Sequence, residues 1–368
     1  MAYPRQPTRF RNYSDIVSSE SRKKCSLLLW LRSCPWLLSA RQRPVQTFGS
    51  THAPLSSPVL SLLVDPPPGT IALGPTSVDV VLSNLLKILR DKQVPTLNMM
   101  EVLGLVLNAD DFVSLANKID DQQDAESLIE MLLYLFDKDL MGKICVTRIN
   151  ANSRARRLII KMAARLTTAP KSLFLNPDEI PIPSGLPIDS GGLAFVYKSS
   201  YHGAQVALKR VRSCKLDKAF LQEALTWRTL SHKYILPFIG IFVESSQSFF
   251  SLVAPFMENG TLRDWRRNMT PSIPEIKKRI QEVAEGLVYL HTEGIVHGDL
   301  KGSNVLLDSE FHVKISDFGS TKHTDSTATK TWAMTIRFSA PELFSDEEDQ
   351  ALWKRTKETD IYAFGPVL

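Results

Sequence analysis

The chain has 368 residues, 43% of them hydrophobic and 23% charged, with a formal net charge of +5. That length holds one large domain and a smaller one, and the composition is that of an ordinary globular protein. The charge gives no case for nucleic acid as a partner, because residues 1–50 carry nine basic side chains against Asp15 and Glu20, while the rest balances 35 basic against 37 acidic.

Four cysteines (Cys25, Cys34, Cys145, Cys214) are scattered without metal-ligand spacing or the density of a disulfide framework. They read as reduced thiols of a cytoplasmic protein. No run of eighteen apolar residues occurs. The nearest stretch, 25–40, is interrupted by Arg32 and Pro35, so no membrane span is expected. The Arg- and Ser-rich, acid-poor start reads as a disordered basic tail, with a mitochondrial transit peptide as the alternative. Pro, Ser and Thr dominate 44–76, ending in Pro66-Pro67-Pro68-Gly69, so 1–76 is read as tail and linker.

Over 77–170 the spacing predicts a small helical domain. Val78, Val81, Leu82, Leu85, Leu86 and Leu89 follow Ser77, a candidate N-cap. Leu128, Met131, Leu132, Leu135 and Phe136 repeat the pattern, as do Leu158, Ile159, Met162 and Leu166 behind the basic Arg154, Arg156 and Arg157. Such a unit suits self-association or a protein partner. The stretch Asp137–Gly142 is no calcium loop, since Met141 stands where an oxygen ligand belongs and Arg148 where the bidentate Glu should be.

From about Ile180 the texture changes to short β-branched strands, then helices, then polar motifs. Val206-Ala207-Leu208-Lys209 reads as a strand ending in lysine, and Glu223 follows fourteen residues later on a helical stretch. A lysine held by a helix carboxylate can present a fixed charge to nucleotide phosphates. In His297-Gly298-Asp299-Leu300-Lys301-Gly302-Ser303-Asn304, Asp299 is placed to accept a hydroxyl proton and Asn304 to face a metal. Asp317-Phe318-Gly319 follows the strand Val313-Lys314-Ile315, an arrangement that suits a Mg²⁺ ligand on a turn. Ala340-Pro341-Glu342 closes a segment rich in Ser and Thr.

In this order and at these intervals, Lys209, Glu223, Asp299, Asn304, Asp317 and Glu342 resemble the eukaryotic protein kinase family over about 185–368, half of the chain. Lys301 resembles the Ser/Thr-specific, tyrosine-kinase-like form, and Thr335 matches the threonine that bridges this lysine and aspartate. The resemblance implies an α+β, two-lobed domain over 180–368: a five-stranded antiparallel sheet with one helix, then a mostly helical large lobe. The matched pattern stops at Leu368, so the large lobe is expected to be truncated. The implied reaction is transfer of the ATP γ-phosphate to Ser or Thr of protein substrates with Mg²⁺. Lys209, Glu223, Asp299, Lys301 and Asn304 would be catalytic, with Asn304 and Asp317 on the metal. ATP would lie against Ile188, Gly191, Gly192, Val196, Ala207, Lys209, Pro255, Met257, Leu306 and Asp317, with Ala254 as gatekeeper. A pseudokinase or scaffold is the alternative.

Two departures stand out. In Asp189-Ser190-Gly191-Gly192-Leu193-Ala194-Phe195-Val196 only Gly191 stands on a family glycine, which implies weaker clamping of phosphates. Gly298 replaces the arginine that commonly precedes the catalytic aspartate and binds the phosphorylated activation segment, so that control is expected to be lost.

Overall fold

The computed structural model describes residues 103–367, apart from 105, 109–112, 144–147, 184, 191–193, 212–215, 245–248, 324–335 and 345–354. The tail and linker, the first expected helix at 78–89, Gly191, Gly192 and Thr335 therefore lie outside the described residues. Everything described belongs to one compact unit, Leu73–Leu368.

Two amphipathic helices come first, α1 (Gln122–Asp137) and α2 (Arg148–Leu166). The Asp121 carboxylate caps α1 by accepting from the Asp124 N–H at 2.8 Å. The apolar stripes read from the sequence face inward: Leu128, Leu132, Leu158, Ile159 and Met162 are fully buried. Each such side chain contributes about 1.5–3 kcal/mol of apolar burial. The segment that follows joins the sheet edge, where the Leu175 N–H donates to the Ile241 carbonyl at 2.8 Å.

The small lobe is a five-stranded antiparallel sheet in the order β1-β2-β3-β5-β4 with one helix. Its strands are β1 (Asp189–Ser190), β2 (Ala194–Tyr201), β3 (Ala204–Val211), β4 (Gly240–Glu244) and β5 (Phe249–Pro255). Strand alternation divides β3 between two faces. Val206 and Leu208 join Ile180, Phe242 and Val253 in a separate core cluster, which leaves Ala207 and Lys209 for the opposite face. The helix α3 (Lys218–Arg228) starts on the Asp217 cap and buries Phe220, Leu221, Ala224, Leu225 and Trp227.

The large lobe supplies α4 (Leu262–Asn268), α5 (Ile273–Thr292), and α6 (Lys357–Val367) with Pro366 in its last turn. A capping box between Ser272 and Glu275 starts α5. Short strand pairs build the loops between lobes: β6 (Ile295–Val296) with β9 (Lys322–His323), and β7 (Val305–Leu307) with β8 (Val313–Ile315). Glu282, buried on α5, accepts from the Val313 N–H at 3.0 Å and pairs with His312 Nδ1 at 2.9 Å, which ties the β7–β8 hairpin to the helix. The two-lobed fold expected from the sequence is the fold observed.

Candidate active site

Three elements place the charged centre. β3 carries Lys209 opposite Leu252 of β5 and Val196 of β2, and α3 carries Glu223. The β8 strand leads into Asp317. Lys209 Nζ donates at 2.6 Å to Glu223 Oε1 and at 2.6 Å to Asp317 Oδ1. Burial alone would pull the lysine down, but the two carboxylates outweigh it and raise its pKa above the ordinary value. Burial would likewise push Asp317 up, but the Lys209 ammonium prevails and holds it below the usual carboxylate range. The cluster is not sealed, because the side chains of Lys209 and Asp317 remain 23% and 38% exposed.

Asp317 itself is left-handed, at φ 68° and ψ 74°. That conformation costs a non-glycine residue about 1–2 kcal/mol and is held here by the ion pair with Lys209. Gly319 answers a tight approach on the other side, since a Cβ there would lie 2.9 Å from Glu223 Oε2.

The second cluster sits on the loop between β6 and β7. Lys301 Nζ pairs with Asp299 Oδ2 at 2.6 Å. Asn304 Nδ2 donates to the Asp299 carbonyl at 2.9 Å and to Asp299 Oδ2 at 3.2 Å, which leaves its carboxamide oxygen outside that contact. Ser316, just before Asp317, donates its N–H to the Asn304 carbonyl at 2.9 Å, so the two clusters share a backbone link.

Both clusters rest on buried supports. Asp360, at the start of α6 and 1% exposed, accepts the backbone N–H of His297 and of Gly298, both at 2.8 Å, and pairs with His291 at 2.9 Å. His297 Nε2 reaches the Ser316 carbonyl at 2.9 Å. An aromatic column runs from Phe238 to Trp227, Phe318 and His297, with successive ring centroids 5.5, 5.8 and 5.8 Å apart. It joins α3 to the loop that carries Asp299.

Ala207 faces Ala254 across β3 and β5 on the face that carries Lys209, whereas Pro255 pairs with Val206 on the opposite face. Ala254 is 2% exposed, whereas Ile188 is 55% exposed at the mouth. Val196, Ala207, Met257 and Leu306 are half-buried. The Ile188 N–H bonds the Val196 carbonyl at 2.8 Å, which closes the start of the sheet.

Gly298 is where the structure adds most to the sequence reading. Its φ is +80°, and a Cβ would meet the Ser320 carbonyl oxygen at 2.7 Å and Arg355 Cδ at 2.9 Å. Arg355, 7% exposed, fills the space beside the glycine and donates to the Ser320 carbonyl at 3.2 Å. An arginine is thus present near this position, delivered from the segment before α6. Asp360 and Arg355 carry no local motif of their own. The glycine at 298 was the one signal that could have pointed to Arg355.

Residues 187–368 match the protein kinase domain. That part of the chain belongs to the eukaryotic protein kinase family. Its relatives include serine/threonine kinases and a serine/threonine/tyrosine kinase. It is 36% identical over 198 residues to a putative serine/threonine-protein kinase/receptor of Acanthamoeba polyphaga mimivirus, covering 50% of this chain and 12% of that protein. It is 30% identical over 204 residues to receptor-interacting serine/threonine-protein kinase 1 of Homo sapiens, covering 49% and 29%. To a serine/threonine/tyrosine-protein kinase of Arabidopsis thaliana it is 30% identical over 191 residues, covering 49% and 47%. The chain thus spans less than half the length of these relatives.

Proposed function

We propose that this chain transfers the γ-phosphoryl group of ATP to Ser or Thr hydroxyls of protein substrates. The observation that carries this reading is the Lys209 ammonium, fixed 2.6 Å from both Glu223 and Asp317 in a cluster that stays partly open. A fully charged lysine aimed by two carboxylates suits nucleotide phosphates, whose oxygens need a positioned cation. Asp299 orients the attacking hydroxyl and takes its proton, and Lys301, 2.6 Å away, stabilises charge on the transferring group. Ala207, Val196, Met257 and Leu306 enclose the adenine.

The donor set also fits a hard divalent cation. Asp317 offers a carboxylate with only one oxygen held by Lys209, and Asn304 offers a carboxamide oxygen while its N–H₂ is held by Asp299. Mg²⁺ bound by these two would neutralise phosphate charge. Asp317 and Asn304 hold their oxygens in place from two elements linked through Ser316. The scattered cysteines, read as reduced thiols, support a cytoplasmic location, with a mitochondrial one the alternative if the Arg- and Ser-rich start is a transit peptide.

The test is transfer of labelled γ-phosphate by the full chain to Ser-, Thr- and Tyr-containing peptides, with Lys209→Met as control. Phosphoserine or phosphothreonine formed by the wild type and absent from the control is the expected result. Nucleotide binding without any transfer would favour a scaffold instead.

A further inference from the structure

The helical pair that precedes the kinase domain delivers one fully buried guanidinium to the C-terminal ends of α3 and α5. Arg156 of α2 is 0% exposed. Burial of such a cation costs several kcal/mol unless its donors are met, and here they are met from both lobes. Nε donates to Thr229 Oγ1 at 2.7 Å and Nη1 to the Glu293 carbonyl at 3.0 Å. Nη2 pairs with Glu293 Oε2 at 3.2 Å, and Asn152, one turn earlier, donates to the same oxygen at 2.9 Å.

The positions of these partners matter. Thr229 is the C-cap of α3 and Glu293 the C-cap of α5. Helix C-termini gather unpaired carbonyls and partial negative charge, so one arginine between two of them satisfies both. Thr229 ends the helix that carries Glu223, and Glu293 lies two residues before β6, which leads into the loop that carries Asp299. On the flank of the same contact, Arg228 of α3 makes a two-pronged pair with Asp137 of α1, at 2.8 and 2.7 Å. The Arg156 guanidinium also lies 5.5 Å over the Phe136 ring. α2 packs along α3, and their apolar side chains share one continuous core. Asp137, Phe136, Asn152 and Arg156 all precede the matched kinase region, which begins at residue 187.

We infer that α1 and α2 form a clamp on the kinase domain, with Arg156 as the positioning residue that holds α3, and through it Glu223, in register with Lys209. The clamp rests on the reading of Lys209 and Glu223 as the phosphate-positioning pair. It gives the helical segment a task inside this chain: without it the C-terminal end of α3 loses its anchor to the large lobe, and the Lys209–Glu223 contact loosens.

Two measurements on the full chain decide it. Amide hydrogen exchange compares wild type, Arg156→Met and Thr229→Val, the last removing the hydroxyl that accepts from Arg156 and donates to the Thr226 carbonyl. Loss of a charge-assisted hydrogen bond should speed exchange over 218–229 by roughly tenfold or more, while β2 and β3 keep their protection. Mg-ATP affinity is then measured for Arg156→Met alone and in a Glu223→Gln background, with Arg156→Lys as the conservative variant. Weakening of about tenfold in the first case, nearly none in the second, and partial recovery with lysine are expected, because the effect passes through Glu223. Unchanged exchange in α3, uniform loss of protection across the lobes in Thr229→Val, or equal weakening in both backgrounds would overturn the clamp. If the wild type binds no Mg-ATP, the kinase reading fails, and the exchange comparison still decides whether Arg156 holds α3.

Discussion

Two cationic centres meet α3, Lys209 at its middle and Arg156 at its C-terminal end, and they treat the same chemistry in opposite ways. Arg156 is sealed among Thr229, Glu293 and Asn152, with no side-chain exposure. Lys209 is held by two carboxylates at 2.6 Å yet keeps 23% of its side chain exposed, beside an Asp317 at 38%. A guanidinium, planar and rich in donors, suits the closed centre, where each of its three nitrogens finds a fixed acceptor. An ammonium with a mobile stem suits the open one, where an acceptor can arrive and leave. Closed burial spends the charge on holding elements together, and open burial leaves part of it for a ligand.

The largest effect expected from breaking the open side is on phosphotransfer. Asp299→Asn should lower kcat by about 10²–10⁴-fold, the range for loss of a positioned base, while ATP affinity changes little. Single-turnover transfer to a peptide would check it. On the supporting side, Asp360→Asn removes the charge from a buried acceptor of two backbone N–H groups and His291. Hydrogen bonds to a charged group contribute about 1.5–3 kcal/mol, so a lowered Tm together with weakened transfer is expected in thermal unfolding and activity assays.

How much of this was legible in the sequence divides along the same line. Lys209, Glu223, Asp299, Lys301, Asn304 and Asp317 were read from local motifs at characteristic intervals, and the structure brings them into two linked clusters. The closed centre was not readable. Arg156 bonds Glu293 across 137 positions and Thr229 across 73, and in the chain it stands within the basic run Arg154, Arg156, Arg157 on an otherwise solvated-looking stripe. Asp360 meets Gly298 across 62 positions. Long-range polar pairs leave no periodic trace, whereas apolar faces do, which is why α1 and α2 were legible as helices but their partner was not. Gly298 was read as the loss of an arginine. The structure shows that space filled by Arg355 from another segment.

Gly298→Ala sharpens that last point. The left-handed φ costs an alanine about 1–2 kcal/mol, and its Cβ overlaps the Ser320 carbonyl at 2.7 Å. A drop of roughly 1–3 kcal/mol in unfolding free energy is expected by denaturant titration. Gly298→Arg should do no better, since Arg355 already occupies the site.

The smallest effect is in the acid limb of stability. Asp317 is held below its ordinary value of 3.8, so the folded state binds fewer protons there than the unfolded chain. Its contribution is present above about pH 4 and lost as pH falls through the lowered native value. Asp317→Asn should flatten that limb slightly in acid-unfolding curves. Arg156→Met should lower stability at neutral pH, where the buried guanidinium is paired with the Glu293 carboxylate.

The measurement that bears most directly on the contrast between open and closed centres is a calorimetric titration of the full chain with ATP, with and without Mg²⁺. Wild type and Asp299→Asn should both bind saturably in a Mg²⁺-dependent manner, and Asp317→Asn should lose that binding. Equal, Mg²⁺-dependent affinity in Asp317→Asn would contradict the account, since the open centre would then be no nucleotide site.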